Sequence, residues 1–156
     1  MSRFANLPKC LLMIAMVATL PACKTVVTSQ LEAAVPGTTM SIRGVERSEL
    51  PRTEDLKSKA TGQYEFMATA PDGKRMYGLL PLRVNGQSMA ISILFFAPGL
   101  ALGGFRDALP VYQVDPANNV LKFKVQEGDE WRQYQPLEVE STRAKAYFDG
   151  LTAKKE

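Results

Sequence analysis

Between Gly62 and Val125 apolar and polar residues alternate over long stretches of the chain. A period of two sends successive side chains to opposite faces of a strand, so this region reads as β. Gln63–Thr69 and Arg75–Val84 flank Pro71-Asp72-Gly73-Lys74, a composition suited to a tight turn. Pro81 cannot donate to a ladder, which predicts that the second run lies at a sheet edge or is bulged there. Asn85-Gly86 predicts a hairpin, because both residues tolerate positive φ. It leads into Ser88–Phe96, whose nearly continuous apolarity marks the most buried strand of a three-strand meander. Val111–Asp115 and Val120–Gln126 enclose Pro116-Ala-Asn-Asn119 and form a further hairpin. In its second strand Leu121, Phe123 and Val125 share one face and Val120, Lys122 and Lys124 the other, so one side of the sheet meets water. Trp131–Glu140 reads as a last strand, interrupted at Pro136.

Elsewhere the period is shorter-lived. Thr38–Val45 alternates as a short strand, whereas Glu46–Lys59 is dense in charge. Thr53 as N-cap, acids at 54 and 55 and lysines at 57 and 59 suit the dipole of a short solvated helix. At the C-terminal end Ser141 caps a predicted helix in which Ala144, Tyr147, Phe148 and Leu151 fall at i, i+3, i+4 and i+7. Met89 to Phe105 holds 17 residues without a charge. Pro98-Gly99 and Gly103-Gly104 argue against a membrane-spanning helix there. The run reads as a buried strand and close-packed loop, or as an exposed apolar lip rimmed by Arg106 and Asp107. The pattern as a whole predicts a mainly β domain over 38–156, an antiparallel meander forming a small barrel or sandwich, with a short C-terminal helix.

The first 22 residues follow a different rule. Arg3 and Lys9 precede an uncharged apolar run from Cys10 to Leu20, and Leu20-Pro21-Ala22-Cys23 closes it. A basic start, a short apolar stretch and a small residue before the cut form a secretory signal peptide. The run is too short to span a bilayer, which takes about 20 apolar residues. Leu20, Ala22 and Cys23 resemble the lipobox of bacterial lipoproteins, and the resemblance covers residues 1–23 only. It implies that residues 1–22 are removed and that Cys23 becomes an acylated first residue. For a Gram-negative envelope the resemblance also implies, from Lys24 in place of the aspartate that marks inner-membrane retention, the periplasmic face of the outer membrane as destination. Cys10 lies in the removed part, so lipidation also accounts for the one remaining thiol. Residues 23–37, ending in Pro36-Gly37, read as a tether, with a first edge strand at Thr25–Thr28 as the alternative.

Charge and chemistry narrow the function. Removing residues 1–22 takes away Arg3 and Lys9 and no acid, leaving 17 basic against 16 acidic side chains. A balanced domain has no net electrostatic footprint for nucleic acid. The chain contains no histidine, which excludes Ser-His-Asp and Cys-His catalysis and the commonest zinc ligand. Glu127-Gly-Asp-Glu130 lacks EF-hand spacing and reads as a solvated turn, so neither metal nor cofactor is expected. The leading expectation is a lipid-anchored, non-catalytic module that binds an envelope protein, with an inhibitor or immunity protein against an envelope-targeting enzyme as one form. Its predicted contacts are Phe105, Arg106, Asp107, Tyr112, Trp131 and Tyr134, because Trp, Tyr and Arg dominate binding hot spots. The alternative is a lipid or apolar-ligand carrier with a cavity lined by Ile91, Ile93 and Phe95. A carboxylate or serine hydrolase ranks third, for want of a paired motif.

Overall fold

The computed structural model describes residues 26–43, 45–86 and 104–153. The chain runs through β1 (Val26–Ala33), β2 (Thr39–Ile42), β3 (Val45–Glu49), β4 (Arg52–Lys57), β5 (Tyr64–Thr69) and β6 (Arg75–Leu80). There follow β7 (Leu82–Val84), β8 (Arg106–Ala108), β9 (Val111–Asp115), β10 (Val120–Lys124), β11 (Arg132–Tyr134) and a helix, α1 (Glu138–Ala153). The protein is thus mainly β, with a helix at the C-terminal end of the described residues.

Two sheets pack like the halves of a sandwich, and no closed barrel forms among the described residues. One has the order β11-β10-β9-β1-β4, the other β3-β2-β5-β6, and β7 with β8 makes a small third ribbon. All pairings are antiparallel except β1 with β9. The core is one apolar cluster fed by both sheets. Leu31, Leu56, Tyr112, Val114 and Leu121 come from the first, and Met40, Ile42, Phe66, Ala68, Met76 and Leu80 from the second. Removing this apolar surface from water is the dominant stabilising term.

Predicted turns account for the β5–β6, β9–β10 and β10–β11 hairpins, but the β2–β3 hairpin turns inside the expected strand Thr38–Val45, and in place of a hairpin at Asn85-Gly86 the chain is helical at Gly86 and β7 pairs with β8. At 70–74 Gly73 takes φ of 86°, and its N–H donates to the Ala70 carbonyl at 2.9 Å while Lys74 N–H donates to Asp72 Oδ1 at 2.9 Å. At 115–119 the Asn118 side chain donates to Asp115 Oδ2 at 2.8 Å, and Asn119 adopts φ of 54°. That hydrogen bond, ahead of smaller backbone ones, holds the Asp115 carboxyl below its ordinary pKa. Pro81 behaves as its missing N–H requires. β6 is the edge of the four-stranded sheet, and the chain leaves it at Pro81 to pair β7 with β8. Ser88–Phe96, the expected third strand of the meander, lies outside the described residues.

Four further expectations are corrected. The tether over 23–37 gives way from Val26 onward to β1, which sits between β9 and β4 with Ser29 and Leu31 fully buried. Val26-Val27-Thr28 are β-branched and suit that pleated setting. The expected helix within Glu46–Lys59 is instead β3 and β4, joined at a cis Leu50-Pro51 bond that carries the chain from one sheet to the other. The dense charge there marks two edge strands, whose outward side chains blunt edge-to-edge pairing. Leu50 and Leu56 are the inward residues. The last strand is only β11, and the helix begins at Glu138 rather than after Ser141. Its cap is Glu140, whose Oε2 accepts from the Leu137 N–H at 2.9 Å, the reach-back half of a capping box. Ala144 is buried, Tyr147 and Phe148 are half-buried, and Leu151 is exposed.

Candidate functional site

Strand register assembles a charged cluster on the outer face of the four-stranded sheet. β2 and β5 pair Ile42 with Phe66, and Arg43 N–H donates to the Glu65 carbonyl at 2.8 Å. One residue beyond Ile42↔Phe66, Arg43 and Glu65 therefore stand side by side on the same face. Helix α1 packs over β5 and β6 and brings Arg143 to the same carboxylate. Arg43 Nη1 donates to both Glu65 oxygens at 3.2 Å, and Arg143 donates from Nη2 at 2.9 Å and from Nε at 3.2 Å. The carboxylate is 2% exposed while the two arginine side chains are 48% and 53% exposed. A buried acid is thus clamped by two cations whose other ends stay in water.

Burial alone would raise the Glu65 pKa. Hydrogen bonds from its own backbone N–H and from Arg43 and Arg143 outweigh it and hold the carboxyl below its ordinary 4.5. Around this pair the Arg43 guanidinium lies 4.7 Å from the Tyr147 ring centre, and Lys59 Nζ lies 3.9 Å from that of Tyr64. Burial lowers the Lys59 pKa, Glu65 opposes that, and Arg43 and Arg143 reinforce it. Beside the cluster, α1 and the sheet leave two adjoining open depressions of about 520 and 430 Å³. Arg47, Phe148 and Leu151 line both; Ser41, Ile42, Val45, Glu46 and Tyr147 complete one, and Met67, Arg75, Tyr77 and Asp149 the other.

The predicted contact residues do not converge on one patch. Tyr112 is fully buried: its hydroxyl donates to the Pro81 carbonyl at 2.7 Å and accepts from the Leu109 N–H at 2.8 Å. Asp107 is 2% exposed and accepts from Asn85 Nδ2 at 2.9 Å and from Ser58 Oγ. Both are corrected to structural residues, since their polar atoms are spent on internal partners. Phe105 is half-buried, and Arg106 Nη1 donates to the Gly62 carbonyl at 3.2 Å. Trp131 is exposed, with Lys124 Nζ 5.0 Å from its ring centre, and Tyr134 donates its hydroxyl to Glu140. β8 packs on β1 and β4, whereas β11 is the opposite edge of that sheet, so the two halves of the predicted set are separated. Cys23 and the cavity residues Ile91, Ile93 and Phe95 lie outside the described residues.

Sequence reasoning missed Glu65, Arg43 and Arg143. The available signal was the lone charge in Tyr64-Glu65-Phe66-Met67-Ala68, an acid in an otherwise apolar strand. Among the described residues no three or more His, Cys, Asp or Glu side chains group as a metal site, and no helix is long and apolar enough to cross a membrane. No protein family, no curated protein and no solved structure matches this chain.

Proposed function

We propose that the chain is a lipid-anchored, non-catalytic module of the bacterial cell envelope that binds another protein through the groove beside α1. The observation that carries this reading is the composition of that groove. Half-buried Tyr77, Tyr147 and Phe148 and exposed Leu151 supply apolar surface, and Arg47 and Arg75 stand at its sides. Aromatic and arginine side chains are the usual anchors of a protein interface once a partner excludes water from them, and Glu46 and Asp149 complete the rim of this open groove. The lack of histidine, and the commitment of the one remaining cysteine to lipid, favour binding over chemistry. The occupant is a partner segment that seats an apolar side chain on Phe148 and a carboxylate against Arg47.

The test is photocrosslinking in whole envelopes, with a photoreactive residue at position 151 and, as a control, at position 119 in the β9–β10 turn. One dominant stoichiometric adduct from 151, absent from 119 and abolished by Arg47→Glu, is the expected result. No adduct, or the same adducts from both positions, overturns the reading. The partner's own activity, with and without the bound domain, separates inhibition from scaffolding.

A further inference from the structure

The cations of this protein balance its acids in number but not in position. β1 begins at Val26, and the register Val26↔Lys57 sets the end of β4 beside it. Past Lys57 the chain continues to Lys59, which exchanges backbone hydrogen bonds with Arg106 at 2.9 and 3.1 Å. Arg106 reaches the Gly62 carbonyl, and Arg143 lies against the same glycine while holding Glu65. Arg43 shares that carboxylate. Five cations, Arg43 just past β2 and the others from β4, the loop after it, β8 and α1, therefore gather at the pole of the domain where β1 starts; Lys59 and Arg106 are half-buried there, and Lys59 Nζ donates to the Gln63 carbonyl at 3.0 Å.

Of the acids at this pole, exposed Glu46 at the start of β3 stands near Arg43, whereas the two others closest to the cations do not offset them at the surface. Glu65 and Asp107 are both 2% exposed and are held by internal partners. Asp55, the nearest exposed carboxylate on β4, accepts from the Thr28 hydroxyl at 2.7 Å. Two apolar side chains stand out among the cations: Val26 is 46% exposed, and Val84, opposite Arg106 in the β7–β8 ribbon, is 58% exposed. Exposed apolar side chains ringed by Lys and Arg are the chemistry of an interfacial membrane contact.

Length supplies the occupant. The described chain starts at Val26, three residues after Cys23. Three residues reach at most about 10 Å, so a lipid on Cys23 leaves this pole within roughly a Debye length of the headgroups.

We propose that the pole formed by Val26, Lys57, Lys59, Val84, Arg106 and Arg143 docks on the anionic phospholipid surface that holds the Cys23 lipid, fixing the orientation of the domain. This rests on the lipid anchoring proposed above. It adds that the domain lies on the membrane and does not hang from a tether. The groove beside α1 is then presented at a set height and angle, which restricts the partner to proteins at the same surface.

The test uses the full chain expressed with its leader in a bacterial host, extracted after processing and reconstituted into vesicles. One set is phosphatidylcholine alone, and the other contains phosphatidylglycerol as well. Intact mass first reports whether Cys23 carries acyl chains. Their absence overturns the anchoring and this docking with it. With the chains present, hydrogen exchange is expected to slow over residues 57–64 and 104–108 only in the anionic vesicles, and to return to its free rate in high salt. β11, at the far sheet edge, exchanges alike in both. Lys57→Gln removes an exposed charge and lowers the docked fraction about five-fold, and adding Lys59→Gln does so again by a similar factor. Unchanged exchange over β9 and β10 shows that both variants are folded. Equal exchange in the two vesicle types, or slowing at β11, leaves the anchor standing and overturns the docking.

Discussion

Two of the polar knots buried in this domain are built in opposite ways. The Tyr112 hydroxyl bonds only to backbone groups, the Pro81 carbonyl and the Leu109 N–H, and none of its residue meets water. The Glu65 carboxylate bonds to two arginine side chains that are about half exposed. The first knot fixes where the chain leaves β6 at Pro81 against the start of β9. The second fastens α1 to the outer face of a sheet that is already complete. A polar group whose partners are backbone is a permanent part of the fold. One whose partners reach the surface ties the core to whatever binds there. The distinction predicts different failures.

Tyr112→Phe separates them most strongly. The ring still fills its space, but a part-buried carbonyl and a buried N–H both lose their partner. Leaving such groups unpaired costs about 1–3 kcal/mol each, so a loss of about 3 kcal/mol is expected in urea denaturation. The loss is global, and hydrogen exchange in α1 follows the rest of the protein. A loss below about 1 kcal/mol means that water reaches both groups and that the knot is not closed.

Glu65→Gln acts on the other knot. Removing one partner of a fully buried ion pair costs about 3–5 kcal/mol, because a charge is left stranded. Here the stranded charges are arginines that water already reaches, and glutamine keeps the shape, so about 1–2 kcal/mol is expected. The signature is local: α1 exchanges faster before the sheets do. The pH dependence carries the same distinction. Glu65 has its folded pKa below 4.5, so its contribution is complete above pH 4.5 and is lost as pH falls through the folded value. Burial raises the Tyr112 pKa above its ordinary 10, so its contribution is complete below pH 10 and is lost above it, with Tyr64 and Tyr134 shifted in the same direction. Denaturation across pH should show Glu65→Gln flattening the acid limb and Tyr112→Phe flattening the alkaline one. If either variant flattens the other limb, the assignment of the two knots is wrong.

Much of the sheet structure was legible because alternation and turn chemistry act locally. Gly73 and Asn119 stand at positive φ where Pro-Asp-Gly and Asn-Asn foretold turns, and Pro81 ends an edge strand. What misled was charge. Glu46–Lys59 is as polar as a solvated helix, and only its place on two sheet edges explains why it is extended. Tyr112 looked like a contact residue because tyrosine favours both interfaces and cores, and the chain holds no local sign of which. Neither the knot at Glu65 nor the basic pole could be read from spacing. Residues 43, 57, 59, 106 and 143 meet only through strand register and helix packing, and a net charge of only +3 hides where they gather.

Arg143→Lys is the finest cut through the comparison. Lysine keeps the positive charge and the helix propensity, so any effect comes from geometry alone. Arg143 meets Glu65 with two N–H groups on one planar fork, at 2.9 and 3.2 Å. An ammonium offers one contact and is more strongly hydrated, and Arg43 remains to hold the carboxylate. A loss of about 0.5–1 kcal/mol is expected, smaller than for Glu65→Gln, with the acid limb largely preserved. Because the charge stays, the proposed adsorption to anionic vesicles should be unchanged, whereas Arg143→Gln should weaken both the helix contact and adsorption. If lysine costs as much as glutamine in adsorption, the pole recognises phosphate through the guanidinium fork and not through charge. If lysine costs nothing in stability, Arg43 alone secures Glu65, and α1 is held to the sheet by Ala144 and its apolar neighbours.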